Sequence, residues 1–254
     1  EEYYKQGIEK YSSDLRGALQ AFEQGLELAK EMKDWEAVSV FFYTIGDVYR
    51  QLGEYPNAFF YLEQALEIAG GSDGPKWRGF ILNTIGNMFL NLRVPSKALA
   101  YLEPALKIDK EIGDRAGEVA NLHSIGIAYS HLGDNFKALS TFEQVLKIAR
   151  ELPDREWEGN TLNSIGNVYT DLGDYPKALA YLEQALKIAR ETENRQREVD
   201  ALGNISTVYM NLGDYSKALT YLEQVLKINQ EIGDHDGEKI SLSNTGNVYF
   251  DLGD

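Results

Sequence analysis

The chain repeats itself every 40 residues, and that period limits its possible folds more than any other feature. Leu52, Leu92, Leu132, Leu172, Leu212 and Leu252 are spaced at this step, as are Tyr49, Phe89, Tyr129, Tyr169, Tyr209 and Tyr249. Small residues keep it too: Gly46, Gly86, Gly126, Gly166, Ser206 and Gly246 form one column, and Ala18, Ala58, Ala98, Ala138, Ala178 and Ala218 another. A unit of this length that recurs so often is one supersecondary element, too small to bury its own apolar face and covered by its neighbours when stacked.

Inside one unit, Arg155 to Asn194, the apolar residues Leu162, Ile165, Val168, Tyr169 and Leu172 follow helical spacing until Gly173-Asp174 interrupts them. Asp174 is placed to cap a second helix, Pro176 suits its first turn, and Ala178, Leu179, Leu182, Ala185, Leu186 and Ile188 give it a buried stripe. Asp134 and Asp214 repeat the cap, and Gly113-Asp114 and Gly233-Asp234 read as a helix stop followed by the next start. Each unit is therefore a helical hairpin. Gly166 should face the Ala178 side of its partner so that the two backbones approach closely, and Glu103/Lys107, Glu143/Lys147, Glu183/Lys187 and Glu223/Lys227 read as solvated pairs on the second helices.

The residue order from Ile165-Gly166 through Leu186 resembles the tetratricopeptide repeat, and the resemblance spans nearly the whole chain. The 40-residue step, with Ser164-Ile165-Gly166-Asn167 and Thr84-Ile85-Gly86-Asn87, is similar to the variety found in Leu-Gly-Asn (Pins-type) adaptors and bacterial signalling proteins. The implied fold is all-α: a right-handed superhelical solenoid of antiparallel helix pairs running as one array over residues 1–254. It would hold about six hairpins and a final unpaired helix. Residues 1 to 12 and Asp14 to Met32 read as the first pair, although Ser12-Ser13 replaces the usual Leu-Gly. The unit at about 70–105 is irregular: Gly70 to Pro75 replaces a charged linker, Arg93-Val94-Pro95 replaces Gly-Asp-Tyr, and Pro104 falls inside a helix, so a local bend is expected. A last helix without a partner is expected of a segment cut from a longer array, or of ends that pair between chains.

Chemistry is sparse. The absence of cysteine excludes disulfides and thiolate metal sites. His123 and His131 lie eight apart on one helical face, with Asp171 as a possible third group, but a stable zinc site needs more ligands. Gly70 to Gly74 lacks the ending of a phosphate loop, and no nucleophile elbow or metalloprotease motif occurs. No enzymatic activity and no cofactor are expected. With 25 Lys and Arg against 40 Asp and Glu, the net charge of −15 disfavours a nucleic-acid partner. Apolar stretches are too short to span a membrane, and a cytoplasmic location is the expectation.

Binding remains. The resemblance implies that the first helix of each pair lines a concave wall, where residues vary from unit to unit. One column is Val40, Phe80, Ala120, Asn160, Asp200 and Ile240; the next is Tyr43, Asn83, His123, Asn163, Gly203 and Ser243. A third is Asp47, Asn87, Ile127, Asn167, Thr207 and Asn247. Arg50, Leu90, Ser130, Thr170, Met210 and Phe250 make a fourth, and Gln51, Asn91, His131, Asp171, Asn211 and Asp251 a fifth. Asn83/Asn87 and Asn163/Asn167 sit one turn apart, and such amides either grip the backbone of an extended peptide or merely keep a face soluble. Tyr43, Phe80, Leu90 and Ile127 are the candidate apolar anchors, and Asp47, His123 and Asn247 complete the groove set. Asp47, Asp171, Asp200 and Asp251 against Arg50 favour a neutral to basic protein or peptide segment. The expected function is a protein-interaction scaffold. The alternatives are a regulatory module of a larger signalling enzyme or transcription regulator, or an assembly module that self-associates end to end.

Overall fold

The computed structural model describes residues 2–70 and 74–252, without the side chains of Asp251 and Leu252. Gly71, Ser72 and Asp73 of the glycine-rich linker thus lie outside the described residues, as do the side chains that close the Leu252 and Asp251 columns. Thirteen helices and no strand occur among the described residues. They fall into two compact units.

The first unit, Glu1–Leu132, contains α1 (Glu2–Tyr11), α2 (Leu15–Met32), α3 (Trp35–Gln51), α4 (Tyr55–Ile68), α5 (Gly74–Asn91), α6 (Pro95–Ile112) and α7 (Arg115–His131). Sequential helices pack on one another, and α5 also touches α7, so first helices of successive pairs are neighbours. Phe22, Ile45, Leu62, Ile81, Ile85, Met88 and Leu102 are sealed from solvent in its core, each burial worth roughly 1.5–3 kcal/mol. The second unit, Gly133–Asp254, contains α8 (Asn135–Glu151), α9 (Arg155–Asp171), α10 (Tyr175–Glu191), α11 (Arg195–Asn211), α12 (Tyr215–Ile232) and α13 (His235–Leu252). The same pattern holds: α9 touches α11, and Phe142, Leu162, Ile165, Leu182 and Leu202 are buried. This is the all-α helix-pair array that the repeat implied.

Local chemistry accounts for the helix ends. The side chains of Asp134, Asp174 and Asp214 accept from the backbone N–H three residues on, as do Asp14, Asp34, Asp114, Asp154 and Asn194. At the turn inside four of the pairs the chain passes through the left-handed region on glycine, with φ of 76°, 75°, 74° and 74° at Gly53, Gly133, Gly173 and Gly213. Arg93 takes that place in the irregular pair at φ 58°, and Val94 makes no side-chain cap. Helix α6 nonetheless runs without interruption to Ile112, with Pro104 on its exposed side.

The small-residue column has the steric purpose expected of it. A Cβ on Gly166 would lie 2.6 Å from Leu182 Cγ and 3.3 Å from the Ala178 carbonyl oxygen, and Gly86 stands likewise 2.5 Å from Leu102 Cγ. At Gly246 on α13 such a Cβ meets nothing within 4 Å. Tyr169 and Tyr209 stack on Tyr181 and Tyr221 of their partner helices at 5.5 Å and 5.6 Å, which explains the aromatic column. The surface pairs differ from expectation. Lys107, Lys187 and Lys227 reach forward to Glu111, Glu191 and Glu231, one turn further along the same helix, at 3.8–3.9 Å.

Candidate functional site

The structure distributes the residues of the variable columns of the first helices into three kinds of environment. The first is aromatic. Tyr43 on α3 packs against Trp77 and Phe80 on α5, with centroids 5.0 Å and 5.3 Å away, and Trp77 stacks on Phe80 at 5.6 Å. Trp77 Nε1 donates to Ser39 Oγ at 2.9 Å, and Ser39 Oγ donates to the Ala65 carbonyl at 3.0 Å, so the indole is fixed from below. Burial pushes the Tyr43 hydroxyl up from its ordinary pKa, which keeps it neutral. Phe80 is 49% exposed and forms the accessible edge of this platform.

The second environment is a polar network. Asn87 Nδ2 donates to Asn83 Oδ1 at 2.8 Å, Asn83 Nδ2 to Asn121 Oδ1 at 2.9 Å, and Asn121 Nδ2 to Asp109 Oδ2 at 2.5 Å. Ser124 Oγ donates to Asn87 Oδ1 at 2.7 Å. The amides of Asn83 and Asn87 therefore bond to each other and to α7. The physical reason is proximity: α5 and α7 touch, and a half-buried amide takes the nearest partner before any ligand arrives. Asp109, 4% exposed, anchors the network; burial raises its pKa, while the Asn121 hydrogen bond opposes the rise. In the second unit Asn163 Oδ1 accepts from Asn204 Nδ2 at 3.0 Å, and Asn167 is half-buried one turn on.

The third environment is the core. Leu90 is only 6% exposed and packs inside the first unit, so its assignment as a groove anchor is corrected: its α5 position turns toward the hydrophobic cluster. Ile127 is half-buried against the same cluster, and His123 is half-buried on α7. Asp47 accepts from Arg50 Nε at 2.7 Å and also from the Tyr11 hydroxyl, so its charge is balanced locally. Asp200 is paired with Arg197 at 3.2 Å, whereas Asp171 and Asn247 are exposed. His131 Nε2 lies 2.8 Å from Arg93 Nη1. No group of three or more His, Asp and Glu able to hold a metal occurs among the described residues. None of the described helices is long and apolar enough to cross a membrane.

Sequence reasoning missed Trp77, Asn121, Ser124 and Asn204. Trp77 lies one helical turn before Phe80. Asn121 occupies a repeat position held elsewhere by Phe41, Ile81, Thr161 and Ala201, and Asp109 breaks a column otherwise held by Ala29, Ala69, Ala149 and Ala189 until Asn229. A polar residue in a small apolar column was the available signal. Carboxylates also tie successive pairs together: Glu158 accepts from Arg150 at 2.9 Å and from Arg155 at 2.5 Å, and Glu198 from Arg190 and Arg195 at 2.8 Å each. Burial opposes ionisation of both, yet the paired guanidiniums hold them below the usual carboxylate range.

The profile of the tetratricopeptide repeat matches residues 77–151, 118–191 and 197–254, and a second profile of the same repeat matches residues 40–71. The chain belongs to the tetratricopeptide-repeat family. No curated protein matches it in sequence. Among solved structures it is similar to the apo form of RapI, with a TM-score of 0.74 at 16% identity over 98% of this chain and 97% of that one. It is also similar to BtubC from P. vanneervenii, with a TM-score of 0.73 at 18% identity over 87% and 93%. A third is NprR in complex with its cognate peptide NprX, with a TM-score of 0.66 at 16% identity over 90% and 67%. At these identities the likeness is one of fold.

Proposed function

We propose that this tetratricopeptide-repeat chain is a protein-interaction scaffold that holds an extended segment of a partner against its first helices, in the concave groove that the family implies. The observation that carries this reading is the Tyr43–Trp77–Phe80 platform. Three aromatic rings from two neighbouring first helices converge there, one is held by a half-buried hydrogen bond, and one edge is open to solvent. A rigid, half-exposed aromatic cluster loses little side-chain freedom on binding and makes an effective anchor for an apolar residue. That NprR is solved with a peptide supports a peptide as the ligand class. The amides would then act through their second N–H groups, adding direction more than affinity. The charge of −15 favours a neutral to basic segment.

The test is to pan a phage library of peptides against the intact chain. Recovered peptides should share an apolar or aromatic position, and Phe80→Ala should weaken them about tenfold or more. Phe136→Ala, on α8 and 83% exposed, should leave binding unchanged. Recovery of no binder, or sensitivity to Phe136→Ala in place of Phe80→Ala, would overturn the reading.

A further inference from the structure

The irregular pair α5/α6 departs from its neighbours in one further respect. In three other pairs the lysine three residues after the capping aspartate bonds that aspartate: Lys137 to Asp134 at 2.9 Å, Lys177 to Asp174 at 2.7 Å and Lys217 to Asp214 at 2.9 Å. Lys177 and Lys217 also lie over the rings of Tyr169 and Tyr209, 5.1 Å and 5.0 Å from the centroids. Lys97 keeps the ring contact, 5.4 Å over Phe89, but the cap position ahead of it is Val94, which has no carboxylate to offer. Its backbone N–H turns to the Val94 carbonyl at 3.1 Å. Among the described residues no carboxylate pairs with its ammonium.

Lys97 stands at a cleft of about 560 Å³ between α4, the end of α5 and the start of α6. The walls are aromatic: Phe59 meets Phe89 edge-on at 5.6 Å and Tyr101 at 6.2 Å, and Phe89 stacks on Tyr101 at 5.6 Å. Lys97 is the one charged residue among those described as lining it; Glu63, which accepts from the Tyr101 hydroxyl at 3.2 Å, is not one of them. A volume of this size suits a small organic molecule. No residue of the cleft belongs to the Tyr43–Trp77–Phe80 platform.

We infer that this cleft binds a small aromatic carboxylate, whose ring lies among Phe59, Phe89 and Tyr101 and whose carboxylate takes the place at Lys97 that Asp174 takes at Lys177. An apolar cleft with a single cation at it selects for an apolar body carrying one negative charge, because a neutral ligand leaves the ammonium without a partner and a second charge would be desolvated without compensation. A ring, unlike an alkyl chain, can meet the Phe59 edge and the Phe89 and Tyr101 faces in the geometry that these rings already use with one another. The charge of −15 on the whole chain is screened beyond roughly 8 Å at physiological salt, so the nearby ammonium decides the sign of the ligand.

The test titrates the intact protein, labelled with 13C at the methionine methyls, with 2-naphthylacetate, its neutral amide 2-naphthylacetamide, or acetate. Met88 lines the cleft and reports a bound ring, while Met32 on α2 and Met210 on α11 are internal controls. A saturable shift at Met88 alone is expected with 2-naphthylacetate, with the amide about fivefold weaker or more and no response to acetate. Lys97→Gln should weaken 2-naphthylacetate to the level of the amide. Val94→Asp is the sharper variant: it restores the cap and gives Lys97 an internal carboxylate, so it should raise the melting temperature and yet weaken 2-naphthylacetate by about fivefold or more. Unchanged affinity in a folded Val94→Asp protein would overturn the inference. So would equal binding of acid and amide, or shifts of the same size at Met32 and Met210, or no saturable shift at Met88.

Discussion

Replacing Gly166 by alanine sets two known effects against each other, and the geometry decides between them. In a helix interior alanine is favoured over glycine by about 1 kcal/mol. The new Cβ on α9 would nevertheless sit 2.6 Å from Leu182 Cγ and 3.3 Å from the Ala178 carbonyl oxygen, where carbon atoms prefer roughly 3.5–4.0 Å. Cγ is the branch point of a fully buried side chain and the oxygen is backbone, so neither yields by a simple rotation. Helices α9 and α10 must therefore part by something on the order of 1 Å, at an overpacking cost of about 1–3 kcal/mol. Gly203, in the interior of α11, is the control, because a Cβ there meets nothing within 4 Å and Gly203→Ala gains the propensity term alone. The gain cancels between the variants, which leaves Gly166→Ala less stable than Gly203→Ala by about 1–3 kcal/mol. Urea denaturation followed by circular dichroism measures the difference. Hydrogen exchange in α9 and α10 locates it, since repeat arrays need not unfold as one unit. Equal stability of the two variants would refute the assignment of the small-residue column to close backbone approach.

Three other perturbations have definite signs. Burial raises the Asp109 pKa, with Asp114 and Glu118 acting in the same sense and the Asn121 hydrogen bond and Lys76 against it. As pH rises from about 4, the unfolded carboxyl ionises before the folded one, so wild-type stability falls by roughly 1.4 kcal/mol per unit of separation until the folded group ionises, then levels. Asp109→Asn should therefore gain on the wild type across that window and hold the gain at neutral pH; urea midpoints at pH 4 and pH 7 that moved the opposite way would contradict this. Arg93→Gly removes a left-handed residue with a side chain and should stabilise by about 1 kcal/mol, less whatever the exposed Arg93–His131 contact contributes. A lower melting temperature would show that the contact dominates. For Phe80→Ala, tenfold weaker peptide capture with little change in helicity separates an anchor from a core residue.

The caps were legible in the sequence because they depend on neighbours within one helical turn, and the helix pairing because its spacings recur from unit to unit. Asp174 caps its helix, Gly173 supplies a left-handed turn, and Gly166 meets Leu182, because each partner lies at a fixed offset that other units repeat. Leu90 was misplaced because a variable column reads the same from sequence whether its side chain points to solvent or leans into the cluster beneath.

What the tertiary structure alone decided is which groups pair across helices about 40 residues apart. Periodicity states that Asn83 and Asn121 occupy adjacent first helices; only the packing of α5 on α7 brings Asn83 Nδ2 within 2.9 Å of Asn121 Oδ1. Hydrogen bonds are directional and short-ranged, so a shift of an ångström chooses the partner. Hydrophobic burial tolerates such a shift, which is why the periodic pattern was enough to specify the helix pairs but not the polar surface they present.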